Sequence, residues 1–135
     1  MSNSEKTVNG NPTRPVYLSL TDFKFPITAI VSIFHRVSGV FLAVGLIPAI
    51  IMWHTSLHSA TGFQIVITWL DILPVKLSVW FYLSCLWFHA LAGIKHLFMD
   101  LGWGEHLSTA SRLSWGAIIV SFLFSGGLLY LLIFI

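Results

Sequence analysis

The chain has 135 residues, of which 56% are hydrophobic and 9% charged, with a formal net charge of +2. A soluble domain carries roughly a quarter charged residues, so this chain cannot cover a water-facing surface by itself and must rely on lipid. Its basic residues are scattered, with no polybasic run, which leaves nucleic-acid binding without an electrostatic footprint.

Residues 1–26 are polar and turn-rich and read as a cytoplasmic N-terminal segment. They contain no apolar stretch followed by a small-residue cleavage site, so no secretory signal peptide is expected. They also lack the Arg-rich, acid-poor pattern of an organelle transit peptide, and the expected location is therefore a bacterial inner membrane.

A helical span needs about 20 apolar residues. The first span is placed at 27–53, with Pro26 at its start and Pro48 inside it, where proline frees the Val44 carbonyl and predicts a kink. Residues 54–73 follow as an outer loop; its segment Phe63 to Leu70 is apolar but too short to span, and an interfacial helix is expected there. His54 and His58 read as ordinary solvated residues of this loop, and Asp71 as a loop or cap residue. The second span is placed at 74–99 with Pro74 at its start, a polar cytoplasmic turn at 100–112, and the third span at 113–135. The turn holds Gly102, Gly104, Glu105 and a solvated His106. The fold class is thus all-α, an integral membrane protein of three transmembrane helices behind a short polar N-terminal segment.

Orientation follows from Lys and Arg. Lys6, Arg14, Lys24 and Arg36 lie at or just inside the start of span one, while Lys95 and Arg112 flank the second turn. The N-terminus and that turn are expected on the cytoplasmic side, the first loop and the C-terminus on the periplasmic side; Lys76 is the dissenting charge. Trp53, Trp69, Trp80, Trp103 and Trp115 fall near span ends, as interfacial aromatics do. Cys85 lies inside an apolar run and reads as a small buried residue.

Polar groups inside a span are costly and usually face protein or cofactor. Ser32, His35, Arg36 and Gly39 fall at i, i+3, i+4 and i+7, one face of a helix. His89, Gly93, His96 and Asp100 fall at i, i+4, i+7 and i+11, again one face. At 1.5 Å per residue, Arg36 is about 14 Å along its span from Ile27, and His89 about 16 Å from Asp100. The two faces therefore overlap in depth, with His89 near the midplane of a core about 30 Å thick.

Each of these residues has a plain structural alternative. A histidine in a span can simply hydrogen-bond a neighbouring helix, Gly93 can serve close helix packing, Ser32 can bond back to its own helix, and Arg36 can snorkel to the surface. His89 stands apart because it is deep, shares a face with a second histidine, and has Gly93 one turn away, where a missing side chain lets a flat macrocycle approach. Arg36 keeps its charge at any depth, so a haem propionate or a quinone carbonyl is the partner it asks for, with Ser32 a hydroxyl donor beside it. Gly-rich phosphate loops, paired intramembrane carboxylates and zinc-like spacings are absent from the sequence.

At these clusters the chain resembles a known family. The stretches Arg14-Pro15-Val16-Tyr17-Leu18-Ser19-Leu20 and Phe25-Pro26-Ile27 through Ser32-Ile33-Phe34-His35-Arg36-Val37-Ser38-Gly39, together with His89 to Asp100, resemble the two signatures of the cytochrome b subunit of succinate dehydrogenase. The similarity covers about Arg14 to Gly102. It implies one of two membrane anchors of respiratory complex II, working with a second anchor, an iron–sulfur subunit and a flavoprotein. It also implies that His89 is an axial ligand of haem b, the other ligand being a histidine of the partner anchor. Ser32 and Arg36 match quinone-contacting positions, here for ubiquinone, and His35 and His96 match positions near the haem and its propionates. Lys95 stands where arginine is commoner and would lose a bidentate contact. On this reading the chain has no activity alone. Two readings compete with it: a small proton or ion transporter subunit relaying through His89, His96 and Asp100, and a haem-free structural anchor.

Overall fold

The computed structural model describes residues 25–104 and 106–134. The expected N-terminal segment therefore lies almost wholly outside the described residues, as do Lys6, Arg14, Lys24 and Glu105. Among the described residues four helices follow one another: α1 (Ile27–His58), α2 (Ala60–Leu70), α3 (Leu73–Asp100) and α4 (Leu107–Phe134). Three of them, α1, α3 and α4, are long and apolar enough to cross a membrane. The protein is an all-α, multi-pass membrane protein.

Helix α1 opens after Pro26, whose fixed φ of −63° suits the entry into a helix. It keeps its helical form through Pro48 and runs on to His58, beyond the end of the continuous apolar run at Trp53. Two hydroxyls in this extension bond back to the helix, Thr55 Oγ1 to the Ile51 carbonyl (2.8 Å) and Ser56 Oγ to that of Trp53 (2.8 Å). With their own hydroxyls satisfied on the backbone, these residues do not break the helix. His54 and His58 thus stand on the last turns of α1, their ring centroids 5.8 Å apart.

The chain then turns at Ser59, in extended conformation, which caps α2 by accepting a hydrogen bond from the Gly62 N–H at 2.9 Å. Helix α2 is the short apolar helix expected between the first two spans. Asp71 closes it as the C-cap and pairs with Lys76 at 3.7 Å. That pairing gives the dissenting cation of the second span a counter-charge at the same end of the bundle. Helix α3 carries Pro74 in its first turn, where the missing N–H has no helical partner to lose.

The membrane helices meet through small residues. Ala92 and Ser114 are fully buried, and Ser38 and Ala110 nearly so, consistent with close helix approach where lipid offers no hydrophobic drive for association. Trp80 Nε1 donates to the Ser125 carbonyl at 2.8 Å, and Ser84 Oγ donates to Ser125 Oγ at 3.0 Å. Trp80 therefore joins α3 to α4 as well as lying near a span end. Most large apolar side chains, among them Phe34, Val44, Ile47, Phe122 and Leu123, are exposed on this single chain, as surfaces turned to lipid or to neighbouring subunits are.

Candidate haem-ligand and quinone site at the crossing of α1 and α3

The two polar faces recognised in the sequence meet where α1 crosses α3. The imidazoles of His35 and His89 stack with centroids 4.1 Å apart and planes 19° from parallel. His96, two turns along α3 from His89, brings its ring to 5.3 Å from that of His35. Three of the sequence-selected residues thus form one cluster.

Glycines make this crossing possible. A Cβ on Gly39 would sit 3.1 Å from Cε1 of His89, and one on Gly93 would sit 3.4 Å from Nε2 of His35. Each helix therefore lays a histidine over the glycine of the other. Gly93 makes room for His35 within the chain, as a small residue at a close helix contact does.

The polar atoms of His89 are set by backbone. Its Nδ1 lies 3.1 Å from the His35 carbonyl oxygen and 3.1 Å from Ser38 Oγ. A carbonyl has no proton to give, so the hydrogen sits on Nδ1 of His89. Ser38 spends its own hydroxyl proton on the same carbonyl at 2.7 Å, and its oxygen is free to accept from Nδ1. The consequence is chemical: a neutral imidazole with Nδ1–H engaged presents an unprotonated Nε2 with a free lone pair, the form that ligates a metal. Ser38 is the participant that sequence reasoning passed over. Its signals were its position three residues after His35 and its neighbour Gly39.

Ser32 and Arg36 lie on α1 beside this cluster, Ser32 half-buried and Arg36 exposed. Among the described residues no acidic side chain pairs with Arg36, the Asp71–Lys76 contact being the ion pair present. The guanidinium is therefore available to an anion or carbonyl from outside the chain. Among the described residues no group of three or more His, Cys, Asp or Glu side chains forms a cage for a metal ion. The chemistry open to the cluster is a single nitrogen donor set beside cationic and hydroxyl donors.

The profile of the family described as succinate dehydrogenase/fumarate reductase transmembrane subunit matches residues 10–128. The chain belongs to this family. Relatives include the succinate dehydrogenase cytochrome b556 subunit of Coxiella burnetii, 39% identical over 84% of this chain and 91% of the relative. The subunit of the same name from Paracoccus denitrificans is 32% identical over 75% of this chain and 78% of its own length. A cytochrome b560 subunit of succinate dehydrogenase from Marchantia polymorpha is 35% identical over 70% and 73%. Membership in the succinate dehydrogenase/fumarate reductase family makes the chain a transmembrane part of an enzyme complex, and the resemblance read at the two polar faces is that of the family itself.

Proposed function

We propose that this chain is a membrane anchor of a succinate:quinone oxidoreductase that supplies Nε2 of His89 to haem b and part of the site where ubiquinone is reduced. The observation that carries the proposal is the hydrogen bonding of His89. Its Nδ1–H is held by the His35 carbonyl and Ser38, so the ligand nitrogen is fixed as an acceptor and the ring cannot rotate without losing both bonds. This chain offers one deep histidine in that state, which suits a haem that would be held jointly with a histidine of the partner anchor.

A haem held by His89 and a histidine of the partner anchor would supply single-electron transfer. The residues of this chain do the rest. His35 and His96 lie on the flank of His89 and provide hydrogen-bond donors for propionates. Arg36 holds fixed positive charge where negative charge develops on a quinone oxygen, and Ser32 donates a hydrogen bond beside it. The second anchor, an iron–sulfur subunit and a flavoprotein complete the path from succinate. The N-terminus and the α3–α4 turn face the cytoplasm in this arrangement, within a bacterial inner membrane. Family membership speaks against the transporter reading.

The test is a dithionite-reduced minus oxidised visible spectrum of the purified complex, wild type against His89→Leu. A b-type α band lost or shifted in the variant, with the complex still assembled, supports ligation at His89. A band unchanged in position and intensity would move the ligand elsewhere, with His96 next.

A further inference from the structure

Lys95 is 6% exposed, and among the described residues it makes no hydrogen bond and no ion pair. It lines a cavity of about 480 Å³ between α3 and α4, away from the histidine cluster, whose lining also includes Arg112 and Thr109. A cleft lined by charges of one sign focuses their field and draws a counter-ion; Lys95 is mostly buried here and Arg112 is exposed. Asp100, the next acid along α3, is exposed and forms no ion pair with Lys95.

The register of the helices places the two cations at one level. Lys95 stands five residues before the end of α3 at Asp100, and Arg112 five residues after the start of α4 at Leu107. At 1.5 Å per residue each lies about 7.5 Å inside its helix end. The wall is otherwise largely apolar, from Phe98 and Trp103 at the cation end down to Leu91, about 6 Å below Lys95, and Val120, about 12 Å below Arg112. The cavity is cationic near the membrane surface and greasy toward the midplane. A free phosphate would use only the upper part. A phospholipid uses both, and basic pockets between membrane helices are the physical form that headgroup recognition takes.

We propose that the cavity between α3 and α4 binds an anionic phospholipid, its phosphate held by Lys95 and Arg112 with Thr109 as a hydroxyl donor, and one acyl chain laid along Leu91 and Val120. The cavity lies between α3 and α4, whereas His35 and His89 meet between α1 and α3, and the proposal does not depend on the haem or quinone assignment.

The test uses the whole complex, purified in neutral detergent, stripped of lipid and re-exposed to phosphatidylglycerol or phosphatidylcholine. Native mass spectrometry counts the lipid retained, and the visible spectrum checks that the complex is intact. The wild type should retain phosphatidylglycerol in preference to phosphatidylcholine. Lys95→Gln and Arg112→Gln should each weaken retention about fivefold, while Lys95→Arg restores it. Inorganic phosphate should not displace the lipid. Should Lys95→Gln fail to assemble, Arg112→Gln carries the test. Equal retention by wild type and both Gln variants overturns the proposal and leaves the cations to a carboxylate of a neighbouring subunit. Full displacement by inorganic phosphate also overturns it, in favour of a free-anion site.

Discussion

The carbonyl oxygen of His35 lies 3.1 Å from Nδ1 of His89 while the two rings stack at 4.1 Å. One residue of α1 thus fixes both the proton position and the ring plane of a histidine on α3. Ser38 reinforces the same contact at 3.1 Å. Second partners of this kind orient a ligand and raise its basicity.

Ser38→Ala should therefore keep the haem but change its character. One of the two acceptors of Nδ1–H is lost and the other remains, so the α band stays while the midpoint potential and the low-spin EPR signals shift. The cost in stability should be about 1 kcal/mol, the usual net value of one hydrogen bond. A potentiometric titration of the haem band checks this, and an unchanged potential would show that the carbonyl alone controls the ring.

Gly39→Ala places a methyl 3.1 Å from Cε1 of His89. Overpacking of this sort costs about 1–3 kcal/mol, offset in part by the better helix propensity of alanine, about 1 kcal/mol. The thermal midpoint of the complex should fall and the haem spectrum should shift. Gly126→Ala is the control, because among the described residues nothing beyond its chain neighbours and its own helix backbone lies within 4 Å of its would-be Cβ. Equal effects at both positions would mean that Gly39 does not gauge the helix crossing.

Ser32→Ala and Arg36→Ala should impair quinone reduction while leaving succinate oxidation by an artificial dye intact. Loss of a hydrogen bond to a charged group is worth about 1.5–3 kcal/mol, so Arg36→Ala should slow quinone turnover by at least about tenfold, with Ser32→Ala milder. Parallel assays with a soluble quinone and with a dye separate the two. Unimpaired quinone turnover in both variants would remove these residues from the site.

The elbow between α1 and α2 rests on Ser59 and Gly62. Ser59 accepts from the Gly62 N–H at 2.9 Å, and a Cβ on Gly62 would press into the backbone carbonyl of Thr55. Ser59→Ala should cost about 1 kcal/mol as a lost cap, and Gly62→Ala more, because backbone cannot step aside as a side chain can. Limited proteolysis near residue 59 should accelerate in both, fastest in Gly62→Ala. No change in cleavage would show that packing of α2 on α1 holds the elbow without them.

Much of the site is legible in the amino-acid sequence. His35 and Arg36 on one face, and His89 and His96 on another, follow from the 3.6-residue period, and their common depth follows from the helical rise. Other features are not legible there. The apolar run ends near Trp53, yet α1 continues to His58, because Thr55 and Ser56 satisfy their hydroxyls on the preceding turn. Trp80 reads as an interfacial ring, but its N–H donates to Ser125 on a helix 45 residues away, which no local pattern discloses. Lys95 reads as a marker of orientation; that it is buried and lines one cavity with Arg112 of α4 is not visible in the local pattern.

The amino-acid sequence by itself determined that there are three membrane helices and that two of them carry polar faces at matching depth. These are consequences of local hydropathy and of the period of one helix, which lipid enforces by leaving backbone groups no other partner. Only the tertiary structure decided that the His35 carbonyl and Ser38 hold Nδ1 of His89, that each histidine lies over the other helix's glycine, and that Lys95 shares a cavity with Arg112 away from the cluster. Those relations depend on where and at what angle the helices cross, and the crossing is set by side-chain shape on both helices at once.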